Sequence, residues 1–138
     1  MPEQDLERLR EFHGHLGPYV VLGLRLGEYA LAKLRARRHF GLEAVVRCAD
    51  QPPESCCLDG VQFSTGCTLG KRNLRHEVGA PLRASFRNRD TGAELALGLA
   101  EAAVAEALAR LREQGEDAAV EYVLGLPEEA LVVEEGGR

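Results

Sequence analysis

Apolar residues recur at helical spacing at Leu6, Leu9 and Phe12 and predict a short amphipathic helix over residues 3–12. The pattern breaks at His13-Gly14-His15-Leu16-Gly17-Pro18. Gly14 and Gly17 permit backbone shapes that other residues resist, and Pro18 suits the first position of a new helix. From Pro18 to about His39 the pattern is helical again, with Gly41 expected just past its end. Tyr19 to Leu26 is apolar nearly all round, which predicts a buried central helix. Gly23 and Gly27, one turn apart, offer one face to a second backbone, while Lys33, Arg35, Arg37 and Arg38 carry the helix into solvent.

Residues 43–49 (EAVVRCA) are dense in β-branched side chains and predict a strand. Pro52-Pro53-Glu54-Ser55 predicts a turn, with Ser55 as the N-cap of a helix over 56–65 that ends at Gly66. A tight loop follows over 66–72, then strands over 73–78, 82–89 and 94–99, the last two joined by the hairpin turn Asp90-Thr91-Gly92. An alanine-rich helix over 100–114, Gly115, a helix over 117–125 and a tail from Pro127 complete the chain. Without repeats, low-complexity blocks or linkers, residues 1–138 read as a single α+β domain.

Composition narrows the class. Of 138 residues, 45% are hydrophobic and 28% charged, ordinary for a soluble globular protein and unlike a disordered chain, a collagen or a coiled coil. No apolar run approaches the roughly 20 residues of a membrane span. The N-terminal MPEQDLERLREF is charged rather than signal-like, so the expected setting is cytoplasmic and reducing. The cysteines are then free thiols or metal ligands rather than disulfides. A net charge of -5 and the lack of Trp argue against a nucleic-acid partner.

Three segments carry candidate chemistry. His13 and His15, separated by one glycine, can turn to one side and hold a metal ion just ahead of a helix N-terminus; the alternative is two loop histidines that pack or cap. Cys57 with Asp59 and Gln62 forms the second segment. Cys56 and Cys57 diverge by about 100° on a helix, so one of the two faces a shared site and the pattern leaves open which. In Thr65-Gly66-Cys67-Thr68-Leu69-Gly70-Lys71, the positive charge of Lys71 and Arg72 favours a thiolate at Cys67, or an anionic cofactor beside Lys71; a buried turn cysteine is the alternative. The string fails as a phosphate-binding loop, because only three residues separate its glycines and no Ser or Thr follows Lys71. Taken together, His13, His15, Cys57 and Cys67 make a complete tetrahedral N/S set for a divalent metal, zinc foremost. Cys57 and Cys67 are also the candidate catalytic thiols. Cys48 is assigned to the core, and His39 and His76 to the surface.

The same residues resemble a known family. Phe12-His13-Gly14-His15 followed by Pro18, Cys57-x-Asp59-Gly60-x-Gln62, and Thr65-Gly66-Cys67-Thr68-x-Gly70-Lys71-x-Asn73-Leu74 occur in the order found in the FmdE family of formylmethanofuran dehydrogenase proteins. The resemblance covers roughly residues 5–135 and favours Cys57 over Cys56. It implies an α+β domain with a mixed four-stranded sheet of the type shared with a glyceraldehyde-phosphate dehydrogenase domain, a homodimer, and a metal-binding cavity lined by His and Cys. The activity it implies is a thiol- or metal-centred redox step or one-carbon transfer. The alternative is a non-catalytic accessory protein whose partner is a molybdenum or tungsten oxidoreductase. Two departures stand out: many members have a cysteine directly before the proline where this chain has Gly17, and longer members carry a C-terminal zinc ribbon, for which no cysteine after Cys67 is left.

Overall fold

The structure is a computed structural model that describes residues 3–135. The first residues of the charged N-terminus and the last of the LVVEEGGR tail lie outside it. Helix α1 (Glu3–His13) leads into α2 (Pro18–Leu34), which starts with proline in its first turn. Strand β1 (Leu42–Cys48) is followed by α3 (Cys57–Thr65), β2 (Leu74–Val78), β3 (Arg83–Asn88) and β4 (Glu94–Leu99). Helices α4 (Glu101–Gln114), α5 (Glu116–Gly125) and α6 (Glu128–Leu131) and the short β5 (Val132–Glu134) end the described chain. The fold is α+β, as expected.

The sheet is mixed with order β2-β1-β3-β4-β5, and β1 pairs parallel with β2 and antiparallel with β3. It has five strands, not four. Residues beyond Pro127, expected to form a tail, make one helical turn and then pair with β4 through Leu99 and Val132. Alternation along β1 is regular: Leu42, Ala44, Val46 and Cys48 are buried, while Glu43, Val45 and Arg47 face the other way. Cys48 is thus in the core, as predicted.

Two boundaries differ from the periodicity. Helix α2 stops at Leu34 because Arg35 takes a left-handed conformation (φ 49°) and the Ala36 amide bonds back to the Leu31 carbonyl. The arginines beyond it leave the helix for tertiary partners: Arg37 pairs with Asp90, and Arg38 donates to the carbonyls of Phe63 and Ser64 at the end of α3. Gly41 accordingly closes a short 3-10 turn (His39–Gly41) rather than α2. Ser55 does not cap α3 with its side chain; a 3-10 turn (Glu54–Cys56) precedes the helix, and the Glu54 carboxylate accepts from the Ala49 amide instead.

Helices α2 and α3 pack at backbone contact. A Cβ on Gly23 would fall on the Cys57 carbonyl, one on Gly60 on the Val20 carbonyl, and one on Gly27 on the Ser64 hydroxyl. The face offered by Gly23 and Gly27 is used as the spacing predicts, and Gly60 answers it from the partner helix. Because Gly23 meets Cys57 and Gly27 meets Ser64, the two helices run the same way. Helix α5 also runs alongside α2: Glu116 lies next to His15 and Gly17, while Arg25 reaches the carbonyls of Val123 (2.8 Å) and Leu126 (2.5 Å). The N-termini of α2, α3 and α5 therefore gather at one end of the fold.

Gly60→Ala should unfold at lower urea concentration, with a loss of about 1–3 kcal/mol or more, since the methyl meets backbone that has no rotamer to yield. Gly70→Ala, where a Cβ meets nothing, should stay within about 0.5 kcal/mol of the parent. Equal midpoints for the two variants would show that the helix contact is looser than described.

Candidate functional site

His13 is the last residue of α1, and Gly14 turns the chain behind it at φ 108°, a conformation that favours glycine. The turn folds His15 back so that the two imidazole rings lie 4.9 Å apart, centroid to centroid. Across from them, Asp59 stands in the first turn of α3, where the helix dipole favours a carboxylate. His13 Nδ1 and Asp59 Oδ2 are 2.6 Å apart, so the ring donates its Nδ1 proton to the carboxylate. The His13 side chain is 9% exposed, and its other nitrogen, Nε2, is buried without any hydrogen-bond partner.

Among the described residues, one other buried side-chain atom, Arg83 Nε, also lacks a hydrogen bond. The buried side chains of Ser64, Thr65, Asn73 and Asn88 are all bonded. Arg83 Nε, the other buried atom without an ideal partner, still has Glu135 Oε1 at 3.2 Å. A lone buried acceptor costs about 1–3 kcal/mol. The arrangement of carboxylate, imidazole Nδ1–H and free Nε2 is the one used to orient and sharpen a metal-ligating histidine.

His13 and His15 line a cavity of about 50 Å³ together with Gly17, Tyr19, Cys56 and Glu116. Glu116, in the first turn of α5, sits 3.4 Å from His15 Nε2. The 3-10 turn ahead of α3 decides between the two neighbouring cysteines: Cys56, half-buried, faces the cavity, and Cys57 turns inward. Burial, then the Asp59 carboxylate, push the Cys56 thiol above its ordinary pKa. Burial, followed by the Glu54 and Cys57 charges, does the same for the Tyr19 hydroxyl, which also borders a neighbouring apolar groove of about 360 Å³ floored by Leu82, Leu99, Val104 and Leu108.

The four-residue set His13, His15, Cys57 and Cys67 is not one site. Cys57 is fully buried against Cys48 at the C-terminal end of β1, whereas the Cys67 thiol donates to the Leu42 carbonyl at the N-terminal end. Those two ends are about 20 Å apart at strand rise. Lys71 goes with Cys67 and lies over the Phe40 ring at 5.8 Å, far from the histidines. Nor do Lys71 and Arg89 make Cys67 a thiolate: burial dominates and raises its pKa against their pull. Among the described residues, no three His, Cys, Asp or Glu side chains converge as they stand into a group able to hold a metal ion.

A second thiol cluster has no signal in the sequence. Cys57 hydrogen-bonds Cys48, and His76, assigned to the surface, approaches Cys48 Sγ at 3.4 Å through Nε2. The Cys48 thiol is pulled down to about 7, chiefly by Cys57, with His76 also lowering it against its burial, and Cys57 is pushed strongly up by the same contact and by burial. Tyr19, Cys56 and Glu116 at the cavity are likewise beyond the motif reading. Their only sequence signals are helix-terminal positions, which say nothing about proximity.

Native-state alkylation followed by peptide mapping should label Cys56 first, because Cys48, Cys57 and Cys67 are buried. Faster labelling of Cys57 than of Cys56 would reverse the assignment of the cavity thiol.

Comparison with known proteins identifies relatives over most of this fold. A family model described as "FmdE, Molybdenum formylmethanofuran dehydrogenase operon" matches residues 12–132. A probable S-adenosyl-L-methionine-binding protein of Archaeoglobus fulgidus is 39% identical over 83 residues, covering 53% of this chain and 21% of that protein. The chain thus matches about a fifth of that relative's length. Among the described residues, no helix is long and apolar enough to cross a membrane.

Proposed function

The chain belongs to the FmdE family, and from that premise we propose that it binds a divalent metal, zinc being the fitting ion, at His13 and His15. One observation carries the reading: His13 Nε2 is buried and unpartnered while Nδ1 is tied to Asp59. A neutral imidazole so tethered presents a lone pair that only a proton donor or a metal can use. A divalent ion there supplies Lewis acidity. Asp59 orients the ring and raises its basicity, and the Cys56 thiol, Tyr19 hydroxyl and Glu116 carboxylate are the protein groups within the same cavity. The apolar groove beyond Tyr19 suits the body of a substrate larger than the cavity itself. Cys56, rather than Cys57 or Cys67, is then the thiol available for a redox or one-carbon step.

The family description, which names a dehydrogenase operon, favours a second reading in which the same site serves an accessory protein of a molybdenum or tungsten oxidoreductase. Co-purification with such an enzyme supports it, and an isolated, stable homodimer counts against it. S-adenosylmethionine is part of the name of a relative matched over 21% of its length, and no residue of this site argues for it.

Protein purified without an affinity tag should carry close to one zinc per chain by elemental analysis. His13→Ala should lose it, and Asp59→Asn should bind about 10–100-fold more weakly in a chelator competition. Wild-type protein that stays metal-free after incubation with zinc, or a His13→Ala variant that binds as the wild type does, would end this reading.

A further inference from the structure

We propose that Glu116 is the third protein ligand of this metal site, completing a two-histidine, one-carboxylate set, and that Gly17 is the position that admits it. The inference rests on the metal reading above and goes beyond the His and Cys residues that the sequence motifs single out.

The first observation is spacing. His15 Nε2 and Glu116 Oε2 stand 3.4 Å apart. Charge-assisted N–H···O bonds close to about 2.7–2.9 Å, and both side chains, 53% and 49% exposed, have the freedom to close further. Two ligands on one tetrahedral zinc, at the usual metal–nitrogen and metal–oxygen lengths of about 2.0–2.2 Å, are separated by about 3.4 Å. The pair is therefore spaced as co-ligands are.

The second observation is the cavity wall at Gly17. A Cβ built there would meet Glu116 Oε2 at 3.4 Å and His15 Nε2 at 3.4 Å. A larger side chain at this position would project between the carboxylate and the imidazole. With glycine, the space in front of His15 is left to Glu116. Gly17 itself is extended (φ −134°), so glycine is not demanded by backbone conformation.

The third observation is what is fixed and what is free. His13 is held by Asp59 with its Nε2 buried and unpartnered, and His13 and Glu116 line the same cavity. As they stand, no three such side chains converge among the described residues. His15 and Glu116, the two half-exposed members, are the side chains with room to move. Parallel packing of α5 against α2, secured by Arg25 on the Val123 and Leu126 carbonyls, keeps Glu116 within reach.

An N2O donor set prefers borderline divalent ions such as zinc, cobalt or iron(II) and disfavours soft copper(I), whereas a thiolate at this position would shift the preference the other way. Cobalt(II) titration of the intact chain reads the donors directly. Wild type should bind cobalt without a sulfur-to-cobalt charge-transfer band, and Glu116→Gln should weaken binding at least tenfold while circular dichroism stays unchanged. Gly17→Cys, which the backbone tolerates, should bring the charge-transfer band in. Glu116→Gln that binds as tightly as wild type, or a wild-type complex whose sulfur band disappears in Cys56→Ser, would overturn the assignment of Glu116 and leave His13 and His15 as ligands. Loss of the parent reading looks different: cobalt then binds equally to wild type and to His13→Ala, or to neither.

Discussion

The candidate site depends on glycines that let two helices approach to backbone contact. Gly23 and Gly27 on α2 and Gly60 on α3 let carbonyls and a hydroxyl occupy the space where Cβ atoms would be. That contact sets the height of α3 along α2. It thereby brings Asp59, one residue before Gly60, level with the end of α1, which Phe12 ties to Phe63 with ring centroids 6.1 Å apart. A hydrogen bond of 2.6 Å between His13 and Asp59 tolerates little sliding. The parallel run of α2, α3 and α5 does the rest, gathering three positive dipole ends where Asp59 and Glu116 are placed.

Burial decides the fate of the thiols more than neighbouring charge does. Cys67 has Lys71 and Arg89 acting on it, yet desolvation still holds it as a thiol. Cys56 is less buried, but Asp59 adds to the same upward push. Only Cys48 goes down, and it does so by taking a hydrogen bond from Cys57 and standing beside His76. In the cavity, burial and the Asp59 carboxylate thus hold the Cys56 thiol above its ordinary pKa.

What is legible in the sequence is what local physics determines. The glycine faces of α2, the Pro18 start, the inward Cys48 and the H-x-H segment are all set by spacing within a few residues. The choice between Cys56 and Cys57 is not, because neighbours diverge by about 100° on a helix and the 3-10 turn that sets which of them faces the cavity has no local signal. Glu116 is separated by about a hundred residues from the histidine it faces; nothing local marks it, since an acidic residue in a helix's first turn is also the bland solution to the dipole. The grouping of Cys67 with the histidines fails for the converse reason. Helix α3 runs back along the seven-residue strand β1, so Cys57 at its start meets Cys48 at one end of the strand and Cys67, just past its end, meets Leu42 at the other. The fifth strand escapes a reading by pattern because three residues after a helical turn carry no periodicity of their own.

Gly17 and His13 Nε2 are best understood together. A fold that satisfies Ser64, Thr65, Asn73 and Asn88 with full hydrogen bonding has no general difficulty in pairing buried polar atoms. An imidazole nitrogen left unpartnered on a residue that lines a cavity of about 50 Å³ is therefore a local feature of this corner, not looseness of the whole. The cost of a bare acceptor falls on folding stability, and a ligand that binds the folded chain alone returns it by mass action. Replacing a side chain at position 17 by hydrogen widens the same corner. An unpartnered nitrogen and an unfilled wall in the corner that also holds one carboxylate are the features on which the proposed metal site rests.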